Sequence, residues 1–467
     1  MGILILGLTL GMTCKKKNQP PGAPSIPSGP SSGRKGDTLR FSTVAEDPDG
    51  DSVAVRFDWG DSTMSDWSGL VPSGDSVVMT HVWQRLSSYS IRAQAKDSNE
   101  TASVWSAEHQ LTVASFFTTF GGPGDDVGNS VQQTSDGGYI VAGSTKSYGA
   151  GNYDVWLVKA DASGNKVWDR TFGGTGWEEG NSVQQTTDGG YVIAGTTTSY
   201  GAGGADVWLI KTDVNGNEVW DRTFGGAGDD FGCSTQQTLD GGYIIIGITQ
   251  SHGGSGEGAW LIKTDASGNE VWNRTLGGDW GNSVQQTSDG GYIVTGYTTA
   301  SGSGGKDVWL VKTDSTGNRM WDTTFGGPDD EEGYSVRQTF DGGYVIAGWT
   351  PPQVGYGEYV WLIKTDGTGH WVWDRSFGAT HDGEGRSVQQ TSDAGYVIGG
   401  YEGSYVWLIK TDSAGNKLWD KLIRQTDYDT GHSVQKTSDG GYVMTGTTES
   451  GVPSCDVLLV KTDAEGN

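Results

Sequence analysis

One Asp-x-Gly-Tyr turn that recurs seven times, tryptophans locked in phase with it, and an unusual richness in glycine predict an all-β chain. The expected architecture is a seven-bladed β-propeller of four-stranded blades, its last blade closed by an N-terminal strand, with an N-terminal Ig-like β-sandwich in front. Of 467 residues, 78 are glycine, more than twice the ordinary share of about 7%, and no Gly-X-Y period accompanies them. Apolar residues make up 34% and charged residues 19%, which excludes a multi-span membrane protein, a coiled coil and a helix-rich enzyme. With 20 Trp, 18 Tyr and 11 Phe the chain is no solvated polymer either.

The N-terminus comes first. Residues 3–12 form an apolar run followed by Thr13, Cys14 and three lysines. Ten residues are too few to span a bilayer but suit a signal-peptide core, so 1–14 is read as an export signal. A Cys directly after the run resembles a bacterial lipoprotein cleavage site, which implies lipidation of Cys14. Gly11 departs from that pattern, where the family usually has Leu, and no basic residue precedes the run. An N-myristoylation pattern fails at Leu6. Residues 15–33, lysines and then five of the twelve prolines spaced by Ser and Gly, are expected to form a polyproline-type linker. Extended, its proline stretch would reach roughly 50 Å.

Residues 34–113 alternate as short strands, Thr38–Val44, Val53–Trp59, Val77–Val82, Ser88–Lys96 and His109–Val113, separated by Asp/Gly/Ser turns. Phe57-Asp58-Trp59-Gly60-Asp61, then His81-Val82-Trp83 and Tyr89-Ser90-Ile91-Arg92-Ala93, resemble the PKD domain of extracellular proteins. Ser88 stands where that family has Gly. Asp47, Asp49 and Asp51 alternate at a spacing that could wrap Ca²⁺ or simply form an acidic turn. No Cys or His pattern suggests another metal or cofactor, and Cys233 and Cys455 are read as unpaired packing residues.

From 114 to 467 the turns start at Asp136, Asp188, Asp240, Asp289, Asp341, Asp393 and Asp439. In the second unit, strand A is Asn181–Thr187, B Tyr191–Thr197, C Asp206–Thr212 and D Glu218–Phe224, joined by Asp/Asn/Gly turns that supply positive φ. Trp156, Trp208, Trp260, Trp309, Trp361 and Trp407 share one column of strand C; Trp168, Trp220, Trp272, Trp321, Trp373 and Trp419 share one of strand D. Packing between blades explains both sets. The seventh unit stops after its strand C turn, and Phe116-Phe117-Thr118-Thr119-Phe120-Gly121-Gly122 matches Trp168–Gly174, so this segment is expected to complete the last blade. The order of features resembles the Kelch repeat, and Lys211–Trp220 looks like the tryptophan-docking turn of quinoprotein-like propellers. The chain is most similar to secreted bacterial propellers built from DGGYIVAG…VWLIKTDxxGNxxW units. That resemblance implies an extracytoplasmic location and carries over no quinone chemistry.

The net charge is −26, and residues 114–467 hold 21 basic against 45 acidic side chains. Nucleic acid is therefore an unsuitable partner, while cations, basic proteins and neutral glycans stay open. Asp126, Glu178, Asp230, Asp279, Glu331 and Asp429 each precede a glycine by two residues in the D-to-A loops. They are read as a carboxylate ring at the channel mouth or as turn residues that bond their own loops. Departures from the repeat mark a second candidate. Arg337 replaces the Gln of strand A, and Tyr334, Arg386 and His432 replace the Asn of Asn129, Asn181 and Asn282. Trp280 sits in a shortened loop, blade six has a cut B-to-C loop, and blade five carries Trp349, Pro351, Pro352 and Tyr356. These residues are expected to bind a protein or glycan on the loop face of a monomeric, surface-anchored, non-catalytic module, which would touch a membrane only through its anchor. The alternatives are an envelope scaffold and a glycoside hydrolase or lyase using carboxylates such as Asp382 and Glu384.

Overall fold

Apolar alternation becomes strand throughout, and the described residues contain no helix. The computed structural model describes residues 17–467 apart from 31, 35, 86, 115, 253–257, 353–356, 379, 380, 425, 427 and 450–453. The export signal, Cys14 and Tyr356 lie outside the described residues. The chain divides into two compact units, 1–114 and 115–467.

The first unit contains β1 (Ser32–Arg34), β2 (Thr38–Val44), β3 (Val53–Asp58), β4 (Ser76–Val82), β5 (Ser87–Asp97) and β6 (His109–Ala114). A sheet ordered β1-β6-β5-β3 and a two-stranded sheet β2-β4 bury Phe41, Phe57, Trp59, Trp83, Ile91 and Leu111 between them. The indole of Trp83 donates to the Trp59 carbonyl at 3.2 Å, which settles its one buried polar group.

The proline-rich segment is not the free spacer its composition suggests. Gly22, Ser25 and Ser28 donate backbone N–H groups to the carbonyls of Glu46, Val44 and Ser42 along β2. Polyproline geometry has three residues per turn, so Pro21, Pro24 and Pro27 all face inward and are buried, while the N–H groups one residue later face the strand. The segment therefore keeps the extended conformation its prolines dictate, but docked on the domain edge.

The second unit consists, among the described residues, of seven four-stranded sheets. Their innermost strands, called A, open at Asp126, Glu178, Asp230, Trp280, Glu332, Gly383 and Asp429. In sheet 2, A is Glu178–Gln185, B Tyr191–Thr197, C Asp206–Thr212 and D Glu218–Phe224. Sheet 7 takes its fourth strand from Phe116–Phe120, antiparallel to Cys455–Thr462.

Each sequence motif has a local reason. In the Asp-x-Gly-Tyr turn of sheet 2, Asp188 accepts hydrogen bonds from Thr186 Oγ1 and Gly190 N, and the chain reverses through Gly189 at φ 85°. The strand C lysine reaches back under the turn: Lys211 Nζ lies 2.9 Å from Asp188 and 2.7 Å from the Thr212 carbonyl. The same pair, a buried lysine on its turn aspartate, forms in all seven sheets. Five of the six strand C tryptophans are 1–3% exposed; Trp361 is half-buried.

Neighbouring sheets are joined by one repeated contact. The strand D Trp168 lies against Tyr191 of the next sheet with centroids 5.9 Å apart, and covers Gly216, where a Cβ would meet its ring at 2.6 Å. Trp220, Trp272, Trp321, Trp373 and Trp419 repeat this on their own neighbours. Phe116 does so on Tyr139 and Gly164 of sheet 1. The six strand D tryptophans are half-buried, so they seal sheet junctions rather than fill a core, while Phe116 is buried.

Candidate functional site

The strand A consensus Asn-Ser-Val-Gln-Gln is polar because it stitches sheets together. Ser182 Oγ accepts from Thr235 N, and Gln184 Oε1 accepts from Gln237 N at 2.6 Å. The pattern recurs from sheet 7 to sheet 1, where Ser433 Oγ and Gln435 Oε1 accept from Val131 N and Gln133 N. Arg337 breaks it. A guanidinium accepts nothing, and its Nη1 turns to the Val336 carbonyl at 2.9 Å.

Every strand A also carries a β-bulge. The ladder register shifts at Asn129, Asn181, Cys233, Asn282, Tyr334, Arg386 and His432, one residue per sheet. A bulge re-aims its extra side chain, and these seven, with Glu179, line one cavity of about 360 Å³. Four of the seven still serve the fold. Asn129, Asn181 and Asn282 donate to the carbonyls of Gly180, Gly232 and Gly333, and His432 Nδ1 donates to Gly128 O. Burial and the Arg386 charge push the His432 imidazole down to about 4, so it is neutral at pH 7.

Tyr334 and Arg386 make no such stitch. The Arg386 guanidinium stacks on the Tyr334 ring 4.2 Å from its centroid and pairs with Glu384 Oε2 at 2.5 Å. Glu384 also meets the Tyr401 hydroxyl and the Glu358 carboxyl. Burial, then repulsion by Glu384, lifts Glu358 well above the ordinary glutamate range. The Tyr334 hydroxyl meets Glu332, which pairs with Lys306 at 2.5 Å. Lys306 lies 4.3 Å over the Tyr297 ring, and Tyr297 stacks on Trp280 with planes 13° apart. Trp280↔Tyr297, Glu332↔Trp349 and Glu384↔Tyr401 are cross-strand partners in the same register of sheets 4, 5 and 6. An unbroken aromatic and charged band thus follows the cavity rim over three sheets.

One expectation is corrected, and two pairs of alternatives are decided. Arg337 does not join the band: three residues beyond the bulge, it lines a separate cavity of about 190 Å³ among strand A serines and glutamines. The loop acids form no exposed ring. Asp126, Glu178, Asp230, Glu331 and Asp429 are 0–3% exposed. Asp126 accepts from Gly122 N and the Thr145 and Ser147 hydroxyls, and Glu178 accepts from Gly174 N, Ser199 N and Thr197 Oγ1. Asp230 and Asp429 are bonded alike through Ser251 and Thr426, and Asp279, half-buried, accepts from Thr299 N and Oγ1. Nor do Asp47, Asp49 and Asp51 converge. Asp47 Oδ1 accepts from Asp49 N and Asp51 N, Asp49 is held by Gln19 N, and Asp51 by the Asn99 amide. Among the described residues no group of three or more His, Cys, Asp or Glu side chains is placed to hold a metal ion.

No motif marks Tyr297, Lys306, Glu332, Glu358 or Tyr401, and the carboxyl beside Glu384 that the sequence offers is Asp382, where the structure sets Glu358. Their signal was present: Tyr297 and Tyr401 stand in the column of Thr196, and Lys306 and Glu358 in that of Ala205.

The PKD domain profile matches residues 25–107, and the N-terminal unit belongs to that family, whose members are typical of extracellular proteins. Among solved structures, the PKD domain of an M14-like peptidase from Thermoplasmatales archaeon SCGC AB-540-F20 is 34% identical, covering 21% of this chain and 97% of that one with a TM-score of 0.20. The β-propeller domain of the Trilobed protease from Pyrococcus furiosus is similar over 75% of this chain and 95% of that one, at 9% identity and a TM-score of 0.41. No curated protein matches the chain.

Proposed function

We propose that residues 115–467 are a closed seven-bladed β-propeller of the secreted bacterial kind, and that the chain is an extracytoplasmic, non-catalytic binding module, secreted or lipid-anchored to the cell envelope. Closure is supported by the sheet 7 to sheet 1 junction, which repeats the hydrogen bonds and ring packing of the other junctions. A PKD domain and the apolar run before Cys14 support export. The binding reading rests on one observation. The band from Trp280 to Tyr401 is built around aromatic and basic residues that depart from the repeat and bond one another and their neighbouring glutamates, leaving the stitches of the fold unmade at Tyr334 and Arg386. Its flat rings, amphiphilic tyrosines and paired charges suit a glycan or protein surface.

The same geometry weighs against hydrolysis. Glu384, one of the two carboxylates offered for that chemistry, is bound by the Arg386 guanidinium at 2.5 Å, so it is neither a free nucleophile nor a proton donor.

The test replaces band residues by those of regular sheets: Arg386→Asn, as in sheets 1, 2 and 4, with Trp280→Val, as in sheet 1. Retention on a glycan array and on native envelope extract should fall at least about tenfold, with the melting temperature unchanged or higher. Retention equal to that of the parent chain overturns the site.

A further inference from the structure

In sheets 1–3 the loop after strand B covers the strand C tryptophan in one manner. Tyr148, Tyr200 and His252 pack on Trp156, Trp208 and Trp260 with centroids 5.5, 5.4 and 4.8 Å apart. The preceding serine bonds the buried acid of strand A: Ser147 Oγ and Ser251 Oγ reach Asp126 and Asp230 at 2.6 Å, and Ser199 N reaches Glu178 at 3.1 Å. Each acid then accepts three hydrogen bonds.

Sheet 5 has Pro351-Pro352 in place of that donor segment. Proline has neither N–H nor hydroxyl, so these two residues offer no donor to Glu331, the acid buried beneath them. Among the described residues Glu331 accepts one hydrogen bond, from Gly327 N at 3.0 Å. The ring cover is reduced as well. Trp361 and Phe325 are half-buried, while their counterparts Trp208 and Phe224 are 3% and 8% exposed. At the rim Trp371 is 60% exposed. Sheets 1, 4 and 6 hold Lys166, Arg319 and Lys417 in that column, each paired with the aspartate three residues on. Trp371 uses its indole N–H instead. It donates to Asp374 Oδ1 at 3.0 Å while Trp361 donates to Oδ2 at 2.9 Å, so one carboxylate fixes both indoles. The resulting cleft, about 650 Å³, is lined by these rings, prolines, Asp329 and Glu331, and among the described residues by no lysine or arginine.

We propose that this cleft binds a primary alkylammonium group, with its alkyl stem against the indoles and its N–H donors on the Glu331 carboxylate. Aromatic faces attract cations, and more strongly where water is excluded. Glu331 lacks the donors its counterparts have, and an ammonium supplies them. An anion is repelled by both acids, and a neutral sugar would cover the rings but leave the charge unmet. Lysine side chains of a basic polypeptide and free polyamines both carry this chemistry. Burial, with Asp307, Asp329 and Asp330 nearby, lifts the Glu331 carboxyl to about 6. Binding of a cation therefore strengthens as Glu331 ionises, by about tenfold between pH 5 and 7.

The cleft shares no residue with the strand A band, so either site can fail alone. The full chain is titrated calorimetrically with n-butylammonium, n-butanol, putrescine and a trilysine peptide at pH 5 and 7. n-Butylammonium should bind at least about tenfold more tightly than n-butanol, and the tighter of putrescine and trilysine identifies the source. Trp371→Lys, the residue of sheets 1 and 6, should abolish binding without lowering the melting temperature. Glu331→Gln should remove the pH dependence. Equal affinity for the alcohol and the ammonium, or undiminished binding by Trp371→Lys, overturns the proposal.

Discussion

Sheets 1–3 and sheets 4–6 share a backbone plan and differ in what their polar side chains do. In the first group the bulge residues Asn129 and Asn181 bond the next sheet, the neighbouring strand B column is Ser144, Thr196 or Ile248, and an aromatic lid closes each strand C tryptophan. In the second group Asn282 still bonds the next sheet, but the other positions of these columns hold Tyr334, Arg386, Tyr297, Trp349 and Tyr401, and the side chains of the band bond one another. A repeat protein thus carries its own control: a column that keeps its partner in the adjacent sheet serves folding, and one that abandons it is released for another use.

The largest expected effect contrasts the two tryptophan environments directly. Trp208 is 3% exposed beneath Tyr200, and Trp208→Ala should cost about 3–5 kcal/mol in urea unfolding. Trp361→Ala, in the open cleft of sheet 5, should cost no more than about half of that, because part of its ring already meets water. Equal losses would show that the cleft is closed in solution and erase the distinction between the groups.

A second test concerns what the groups share. Burial by itself would raise the turn aspartates Asp136, Asp188, Asp240, Asp289, Asp341 and Asp393, but hydrogen bonds from threonine, lysine and glycine overcome it and hold all six below the ordinary range. Asp289 and Asp393 fall to about 2. A depressed carboxyl stabilises the fold above its unfolded value near 4, and this contribution is lost as pH falls toward 2. The melting temperature should therefore drop between pH 4 and 2. Lys211→Met in sheet 2 and Lys312→Met in sheet 4 should flatten that dependence equally. Unequal flattening would mean that the irregular sheets differ in their turns as well as at their rim.

Much of this was legible in the sequence, and the gaps have physical causes. Strands B, C and D of the second repeat have the expected bounds, because apolar alternation and Asp/Gly turns mark them. Strand A begins at Glu178, three residues before Asn181, because a bulge in a polar strand leaves no trace in a period of two. That bulge decides which side chains enter the cavity, so Tyr334, Arg386 and His432 could be grouped by their departures while Arg337, three residues on, was placed with them wrongly. The loop acids were visible, but their burial depends on serines some twenty residues away in the loop after strand B. Glu358 and Lys306 lie just before strand C, at the end of a variable loop where neither strand period nor turn chemistry marks a side chain.

The smallest effect isolates Arg337, a departure that lies off the band. Gln132, Gln184, Gln236, Gln285, Gln389 and Gln435 each accept a backbone N–H from the next sheet. At Arg337 that stitch is unmade, and burial lowers the guanidinium below its ordinary value. Arg337→Gln offers an acceptor to Gln390 N and removes a buried charge, so the chain should gain about 0.5–1.5 kcal/mol. Retention on glycan or envelope should not change, because the variant leaves the rim of sheets 4–6 intact. If stability rises while binding is kept, the strand A departures divide into those that build the band and one that only weakens a junction. If binding is lost instead, the inner cavity belongs to the site, and the boundary drawn three residues beyond the bulge has to move inward.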